Sequence, residues 1–522
     1  MHDLIHNLAQ LAVKSEIFIL TDDVQNMSER VHHVSFDEWS PKMKVLKAKP
    51  IRTLFMLSKD YFHCGDNVDS IVNTLIPNCK CLRVLDLSCL IRGELPKSLV
   101  KLVHLRYLDL SCRGMRVLPS GITSLQNLQT LKLSKCDDLK ELPRNIRKMI
   151  NLRYLEIDGC QRLDYMPCRL GELTMLQTLP LFVIGKGDRE GIGRLNELQC
   201  LNNLRGGLHI RNLQRVKGGA LESKEANLKE KHYLQSLALQ WRWWEWGEDY
   251  QKGEDAELVM EGLQPCPNLK ELYIDGYTGV RFPSWMSSVL PSLQRLYLTH
   301  LNALEYVLEN SSSAEPFFPS LKTLKLGGLR NLKEWCRREI AGERAPSFPS
   351  LSELQIYWCD QLTTFQLLSS PLLTLLQVEY CGGLTSLQLL SSPRLFKLLI
   401  FNCRSLESLQ LPSCPSLSQL WIDKEDDDGG LQFQGLRSLR QLFIQGIPDL
   451  VSLPKGLQHV TTLETLSIRE CSDFITLPDW ISSLTSLSKL EIGGCPRFKL
   501  GDRSKIAHIP TVDIQLTYIS EL

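Results

Sequence analysis

Two histidines near the start of the chain have the spacing of a zinc-binding pair. His2 and His6 lie four positions apart in the stretch His-Asp-Leu-Ile-His. In zinc metalloproteases two histidines with this spacing bind the metal from one face of a helix, and a glutamate after the first acts as general base. Here that position holds Asp3, whose side chain is one methylene shorter, and no further ligand motif follows. We therefore do not expect a metalloprotease.

The remaining residues of metal-binding type occur in isolated pairs. These are His32 with His33, His63 with Cys64, and Cys79 with Cys81. No second Cys-x-x-Cys pair completes a zinc site, and the acidic run from Asp423 to Asp428 lacks the spacing of a calcium-binding loop. The sequence also has no phosphate-binding loop, no Gly-x-Ser-x-Gly and no kinase signature. It predicts a protein that is not an enzyme and binds no metal.

The composition points to a repeat protein. Leucine accounts for 97 of 522 residues, although the hydrophobic content of 43% is ordinary. The 60 Lys and Arg residues nearly balance the 59 Asp and Glu residues, which argues against a nucleic-acid partner. No apolar run reaches the roughly 18 residues of a transmembrane helix, and the N-terminus lacks a basic segment followed by an apolar signal core. We expect an intracellular, cytoplasmic protein that could also enter the nucleus.

The pattern Leu-x-x-Leu-x-Leu recurs through the chain every 22 to 35 residues. Its seventeen copies begin at Leu82, Leu105, Leu128, Leu152, Leu176, Leu204, Leu234, Leu269, Leu293, Leu321, Leu351, Leu373, Leu395, Leu417, Leu439, Leu463 and Leu487. This period and pattern are typical of leucine-rich repeats. The predicted fold is an α/β leucine-rich-repeat solenoid, a horseshoe of about 17 repeats with a parallel concave sheet and an irregular convex side.

The pattern divides the chain into three predicted regions. Residues 1–50 form an N-terminal remnant with a short amphipathic helix over residues 2–13, residues 51–500 form the repeat domain, and residues 501–522 form a C-terminal cap. Most repeats have a cysteine just after the strand, as at Cys136 and Cys381, and we expect these thiols to be buried and reduced. Leu-Pro pairs such as Leu118-Pro119 predict the start of short convex helices.

Alternation along each strand predicts which side chains reach the concave face. Leucines point inward, and the residue between the second and third leucine points outward. Early repeats place Asp86, Asp109, Lys132 and Glu156 there, with Tyr273 and Tyr297 later as secondary binding residues. One apolar patch is predicted as the binding surface for a protein partner. It comprises Tyr357, Trp358, Tyr380, Leu399, Phe401, Trp421 and Phe443. An exposed apolar patch often marks a partner site, but aromatic residues also suit strands and can simply stack on each other.

A second aromatic cluster lies in the long repeat that begins at Leu234. It contains Trp241, Trp243, Trp244 and Trp246, followed by an acidic stretch and a helical-looking segment from Ala256 to Leu263. These tryptophans could form a binding hot spot. The preferred interpretation is that they cover the edge of the core beside a long loop.

Several stretches resemble the coiled-coil class of plant intracellular nucleotide-binding leucine-rich-repeat disease resistance proteins. The first residues, from Met1 to Ala9, look like the Met-His-Asp motif that closes the nucleotide-binding region of this family. Further similar stretches are Cys81 to Ser88, Leu105 to Ser111, Gly191 to Leu198, Lys224 to Lys229 and Lys505 to Pro510. The resemblance implies that the chain is the C-terminal repeat portion of such a receptor, starting at this motif.

The resemblance also implies roles and partners. His2 would lie against the phosphates of bound ADP and Asp3 would help to hold the resting state, but only together with an upstream nucleotide-binding domain. The phosphate loop is missing here, so we expect no cofactor in this chain, whereas the full-length family binds ADP or ATP. The implied partners are a pathogen effector or a guarded host protein, and the upstream domain in cis, which the repeats would hold inactive.

Two other classes of protein use similar repeats. A substrate receptor of a ubiquitin ligase would need an F-box helix bundle before the repeats, and residues 1–50 match the immune-receptor motif better. An extracellular receptor ectodomain would have regular repeats and paired cap cysteines, which are not evident here. This sequence offers only two glycosylation sequons, at Asn26 and Asn310, for such an extracellular protein.

Overall fold

The chain is represented by a computed structural model, which describes most of the repeats. The described residues are 16–20, 29–36, 50–56, 79–88, 95, 97–112, 114–187, 190–241, 253–286, 290–308, 318–336, 348–367, 369–412, 414–423, 432–434, 436 and 438–515. The predicted helix over residues 2–13, with His2 and Asp3, lies outside these ranges. The chain divides into an N-terminal unit (residues 1–238 and 262–266) and a C-terminal unit (residues 239–261 and 267–522).

The N-terminal unit contains a parallel sheet with one strand per repeat. Seven strands follow each other in chain order: β1 Ile17–Leu20, β2 His33–Phe36, β3 Thr53–Met56, β4 Val84–Asp86, β5 Tyr107–Asp109, β6 Thr130–Lys132 and β7 Tyr154–Glu156. Strands β8 Leu181–Val183 and β9 Gly206–Arg211 pair in parallel as well. Strand β10 Leu234–Gln240 contains the point in the sequence where the first unit ends, at Ala238, and the second begins, at Leu239.

The C-terminal unit repeats the same arrangement. Its main strands are β11 Glu271–Asp275, β12 Arg295–Thr299, β14 Thr323–Gly327, β16 Glu353–Tyr357, β18 Leu375–Glu379, β20 Lys397–Phe401, β22 Gln419–Asp423, β24 Gln441–Gln445, β25 Thr465–Arg469, β26 Lys489–Gly493 and β27 Thr511–Gln515. All neighbours in this order are parallel and pair without offset. Equivalent repeat positions therefore form straight rows across the strands.

The return segments of the C-terminal unit add shorter strands. These are β13 Tyr306–Leu308, β15 Glu334–Cys336, β17 Thr364–Leu367, β19 Ser386–Leu389, β21 Ser408–Gln410 and β23 Gln432–Gln434. Strands β13 and β15 pair in parallel, and β17, β19, β21 and β23 form a parallel sheet of their own. Where these strands occur, the return segment is extended rather than helical.

Other return segments are helical. Among the residues that the structure describes, the α-helices are α1 Gly219–Glu225 and α2 Gly253–Gly262, and the second agrees with the helix predicted near Ala256. The 3₁₀ helices of the described ranges are Lys97–Lys101, Ser120–Ser124, Ile146–Lys148, Leu170–Glu172, Leu195–Leu198, Leu213–Arg215, Leu228–Glu230, Ser284–Met286, Lys455–His459, Asp479–Ser483 and Arg503–Ile506. Pro119, Pro454 and Pro478 each stand immediately before one of them. The predicted role of the Leu-Pro pairs is confirmed at these positions.

The strands form because leucine alternates with residues that tolerate solvent. On β20, Leu398 and Ile400 are completely buried, whereas Lys397, Leu399 and Phe401 on the other side are only partly covered. The same alternation recurs on β16, β18 and β24. We call the side of the sheet opposite the leucines the open face.

Each main strand ends with a sharp change of direction that buries a cysteine. Tyr380 follows β18 with φ of 52°, and Cys381 then points into the core. The cysteines predicted at this position are buried and form no disulfide: Cys136, Cys160, Cys359, Cys381, Cys403, Cys471 and Cys495. Many of these thiols donate to backbone carbonyls, as Cys160 does to Leu133 at 3.1 Å. The prediction that these thiols are buried is confirmed.

The sheets extend beyond the predicted ends of the repeat domain. Strands β1 and β2 lie within residues 1–50. Strand β1 pairs with β2 and β2 pairs with β3, so the predicted boundary at residue 50 does not coincide with the start of the sheet. Strand β27 lies in the predicted C-terminal cap and pairs with β26 along its full length. Neither segment carries the full leucine pattern, and only the backbone pairing reveals these strands.

Candidate protein-binding surface

The main strands of the C-terminal unit place the predicted binding residues on the open face. The register pairs Leu399 of β20 with Trp421 of β22, and Trp421 with Phe443 of β24, so these three form one row. Tyr357 and Phe401 occupy the last positions of β16 and β20. We call the seven predicted residues, including Trp358 and Tyr380, the aromatic surface.

The rings of the aromatic surface make contact in two groups. Trp421 stacks on Phe443 with ring centroids 4.7 Å apart, and Phe401 lies 6.1 Å from Trp421. Trp358 lies 5.6 Å from Tyr357 and 5.9 Å from Tyr380. Such pairs contribute roughly 0.5–1.5 kcal/mol beyond the burial of their area. Only Trp421 and Phe443 are stacked; the other pairs meet edge-on or tilted, and these contacts favour a defined orientation of the rings in each group.

Trp358 and Tyr380 are exposed in a backbone conformation that bulky residues avoid. They follow β16 and β18 with φ of 54° and 52°, and their exposed fractions are 50% and 44%. Other repeats have glycine at the same position, as at Gly276 and Gly446. A non-glycine residue in the left-handed region costs about 1–2 kcal/mol. About half of each side chain remains exposed, so a partner could reach both rings.

The Tyr357 ring lies over a glycine of the adjacent strand. A Cβ atom on Gly327 would approach the ring to 2.1 Å, so the ring occupies the space that the absence of a side chain leaves. Burial raises the pKa of Tyr357 above the usual tyrosine value. The phenol therefore stays neutral and serves as a wall of the surface rather than as a titrating group.

The secondary residues Tyr273 and Tyr297 form a separate contact. Their rings stack in parallel with centroids 4.3 Å apart, and Lys325 Nζ lies 5.5 Å from the Tyr297 ring. Burial raises the pKa of Tyr273. These residues pack on each other across β11 and β12, so stacking within the sheet accounts for them.

An aspartate and a histidine on the same strands form a polar cluster that sequence reasoning missed. His300 Nδ1 lies 2.8 Å from Asp275 Oδ1, and Thr299 Oγ1 and Gln240 Nε2 donate to the same carboxylate at 2.8 and 3.0 Å. Burial raises the pKa of Asp275, but these hydrogen bonds outweigh it and lower the pKa below the usual value. The strand register brings residues 240, 275 and 300 together, and sequence spacing contains no such signal.

Two of the early aspartates predicted on the concave face are buried instead of exposed. Asp86 and Asp109 are 0% and 1% exposed. Each carboxylate accepts the backbone N–H two residues further along, from Ser88 and Ser111 respectively. This local hydrogen bond turns the aspartate towards its own backbone.

Lys132 and Glu156, which were also predicted on this face, form an ion pair with an N–O distance of 2.9 Å. Their side chains remain partly exposed, at 24% and 30%. On β6 and β7, the charge of the open face is therefore balanced between adjacent strands.

The other candidates from the sequence have structural roles where they are described. Trp241 is buried against Tyr277, with ring centroids 5.2 Å apart, as expected for a residue covering the core edge. Trp243, Trp244 and Trp246 lie outside the described residues. His33 Nδ1 lies 2.9 Å from Thr53 Oγ1. Within the described ranges, no three His, Cys, Asp or Glu residues converge as metal ligands.

A family model for the leucine-rich repeat region matches residues 61–425 of the chain. The chain belongs to the leucine-rich repeat family. Together with the parallel strands, this match confirms the predicted fold class. A solved structure of a leucine-rich repeat protein from Leptospira interrogans covers 92% of this chain and 99% of its own, with 18% identity and a TM-score of 0.39. Among the described residues, no helix of this leucine-rich repeat protein is long and apolar enough to span a membrane.

The similar curated proteins are plant disease resistance proteins. Disease resistance protein RGA2 of Solanum bulbocastanum is 37% identical over 392 residues, which cover 70% of this chain and 37% of RGA2. A disease resistance protein of Arabidopsis thaliana is 34% identical over 405 residues, or 69% of this chain and 28% of that protein. RGA1 of Solanum bulbocastanum is 37% identical over 218 residues, or 37% and 20%.

These matches confirm the resemblance stated from the sequence and do not favour a ubiquitin-ligase receptor. The leucine-rich repeat chain spans less than two fifths of the length of each of these relatives.

Proposed function

We propose that the chain is the recognition region of a plant disease resistance protein and that it binds a protein partner through the aromatic surface. The observation that carries this proposal is the exposure of Trp358, Tyr380 and Trp421 on the open face of a rigid parallel sheet. Trp and Tyr are enriched at binding hot spots because they offer large contact areas at a low entropy cost. The partner would be a pathogen effector or a host protein that an effector modifies.

We propose in addition that the repeats regulate a nucleotide-binding domain in the longer protein. His2 and Asp3 would then contact ADP from that domain, and the chain itself would bring no cofactor. A partner that prefers the open form over the closed form would shift the equilibrium between them. This role places the protein in the cytoplasm, with access to the nucleus. The similarity to disease resistance proteins of much greater length supports this proposal.

The binding proposal can be tested by removing two stacked rings. A two-hybrid screen with the chain as bait would first identify partners. The affinity of each partner would then be compared between the wild-type chain and the Trp421→Ala/Phe443→Ala double variant. We expect affinity to fall by about 100-fold or more, because hot-spot aromatics are each worth roughly 2 kcal/mol or more. The matched control is Tyr233→Ala, which removes an exposed ring of the N-terminal unit that lies under Arg205.

A partner that binds the double variant as well as the wild type would contradict the proposed surface. Circular dichroism should show unchanged secondary structure in both variants. The double variant should fold because neither Trp421 nor Phe443, the two side chains that it loses, is fully buried. The regulatory proposal is tested separately, by measuring the size of the native product in plant tissue and the nucleotide bound to it.

A further inference from the structure

The last positions of four adjacent main strands alternate between rings and carboxylates. The register pairs Tyr357 with Glu379, Glu379 with Phe401, and Phe401 with Asp423. We call these four residues the mixed row. Since adjacent strands lie about 4.8 Å apart, the two carboxylates are on the order of 10 Å from each other. Trp358 and Tyr380 directly follow two of these strands and extend the row at its edge.

At several other places on the open face, a carboxylate pairs with a basic residue of the same sheet. Glu156 pairs with Lys132, Glu271 pairs with Arg295, and Glu491 lies within 3.1 Å of Arg469 and within 2.6 Å of Lys489. The carboxylate of Glu379 instead accepts a hydrogen bond from the neutral amide of Gln377. Across the described part of the chain, no lysine or arginine forms an ion pair with Glu379.

The positions around the mixed row include more acidic than basic residues. Strands β16, β18, β20, β22 and β24 have three acidic residues on the open face, Glu353, Glu379 and Asp423, against one basic residue, Lys397. The faces of aromatic rings are themselves the negative pole of a quadrupole. Rings and carboxylates therefore attract the same kind of partner group, a cation.

We propose that the mixed row binds arginine side chains of the protein partner. A guanidinium can stack on a ring and donate two hydrogen bonds to a neighbouring carboxylate at the same time, which an ammonium does less well. Tyr357 and Phe401 supply the rings, and Glu379 and Asp423 supply the acceptors. This inference rests on the proposed function, because it names the chemistry of the partner that the aromatic surface would accept.

The spacing of the carboxylates sets the design of a probe. Two arginines seven residues apart on a helix project from one face about 10.5 Å apart, close to the spacing within the mixed row. The probe is a synthetic helical peptide with two such arginines and leucines between them. A second peptide replaces both arginines with citrulline, which has the same shape and no charge. Binding to the complete chain is measured by fluorescence anisotropy.

We expect the arginine peptide to bind about tenfold or more tightly than the citrulline peptide, because close charge pairs at an interface add to affinity. Glu379→Gln should abolish this difference, and Asp423→Asn should reduce it. The matched control Glu491→Gln should leave it unchanged, since Glu491 already contacts Arg469 and Lys489. Thermal unfolding of each variant checks that it is folded.

Three outcomes would overturn the inference. Equal affinity for both peptides would show that the surface does not select a cation. An equal loss in Glu379→Gln and Glu491→Gln would show general attraction by negative charge. Failure of both peptides to bind would also reject arginine recognition. If the citrulline peptide binds as tightly as the arginine peptide, and this binding depends on Trp421 and Phe443, the proposed function stands and the arginine inference fails. The two proposals can therefore be distinguished.

Discussion

The open faces of the two units use the same backbone for different surfaces. In the N-terminal unit, Lys132 and Glu156 pair across β6 and β7, and Asp86 turns back to its own backbone. The C-terminal unit also has ion pairs, such as that of Glu491 with Arg469, but there Glu379 lies between the aromatic residues Tyr357 and Phe401. An ion pair within the sheet, such as Lys132 with Glu156, stabilises the fold modestly. A carboxylate between two rings, such as Glu379, can still interact with a charged group of a partner. The repeat scaffold therefore leaves the outward positions open to specialisation.

The largest expected effect tests whether the two units share the same kind of core. Leu131 on β6 and Leu398 on β20 are both completely buried at equivalent repeat positions. Leu131→Ala and Leu398→Ala should each lower the free energy of unfolding by about 2–5 kcal/mol, through lost burial and the cavity left behind. Urea denaturation measures this. If one substitution lowered the free energy of unfolding much less than the other, the two units would differ in their cores as well as in their open faces.

The next effect concerns a buried amine of the N-terminal unit. Lys231 is completely buried, and its Nζ donates to the carbonyl of Leu198 at 2.7 Å. Burial lowers the pKa of Lys231 from 10.5 to about 8. Between these values the unfolded state binds more protons than the folded state, so stability should rise with pH.

We expect the wild type to gain about 2–3 kcal/mol relative to Lys231→Met between pH 8 and 10, as the buried amine loses its charge. Equilibrium unfolding of both proteins across this pH range measures the difference. Parallel pH profiles would show that Lys231 keeps its charge in the folded protein.

A smaller effect is expected at the strained aromatic residues of the C-terminal unit. Trp358→Asn should change the free energy of unfolding by less than about 1 kcal/mol, because relief of the left-handed strain offsets the lost ring contacts. Asn402, which follows β20 as Trp358 follows β16, has a φ of 50° and shows that asparagine adopts this conformation here. Thermal unfolding measures the change. A large destabilisation would assign Trp358 to packing and weaken the argument for a binding role.

The smallest effect separates the two kinds of open-face carboxylate. Glu156→Gln should lower the free energy of unfolding by roughly 0.5–1 kcal/mol, since it breaks a half-buried ion pair with Lys132. Glu379→Gln should leave stability nearly unchanged. Chemical denaturation at low and high salt checks both, because the Glu156 effect should shrink as salt screens the pair. Equal effects at both sites would remove the contrast between the faces.

Sequence reasoning located the aromatic surface well and the buried aspartates poorly. The alternation rule placed Leu399, Trp421 and Phe443 correctly on the open face, because a strand allows each side chain only two directions. The same rule did not predict the burial of Asp86, since a short polar side chain can bond its own backbone and be shielded from solvent. Whether a partner binds at the aromatic surface stays a prediction, as does the number of repeats.

The sequence by itself determined the repeat, the leucine core and the position of the buried cysteines, because these depend on a period that can be counted along the chain. Only the tertiary structure decided which outward residues become neighbours. The mixed row exists because β16, β18, β20 and β22 pair without offset, and the exposure of Trp358 and Tyr380 depends on a left-handed backbone. Both features depend on strand register and backbone dihedral angles, which arise when neighbouring repeats pack together.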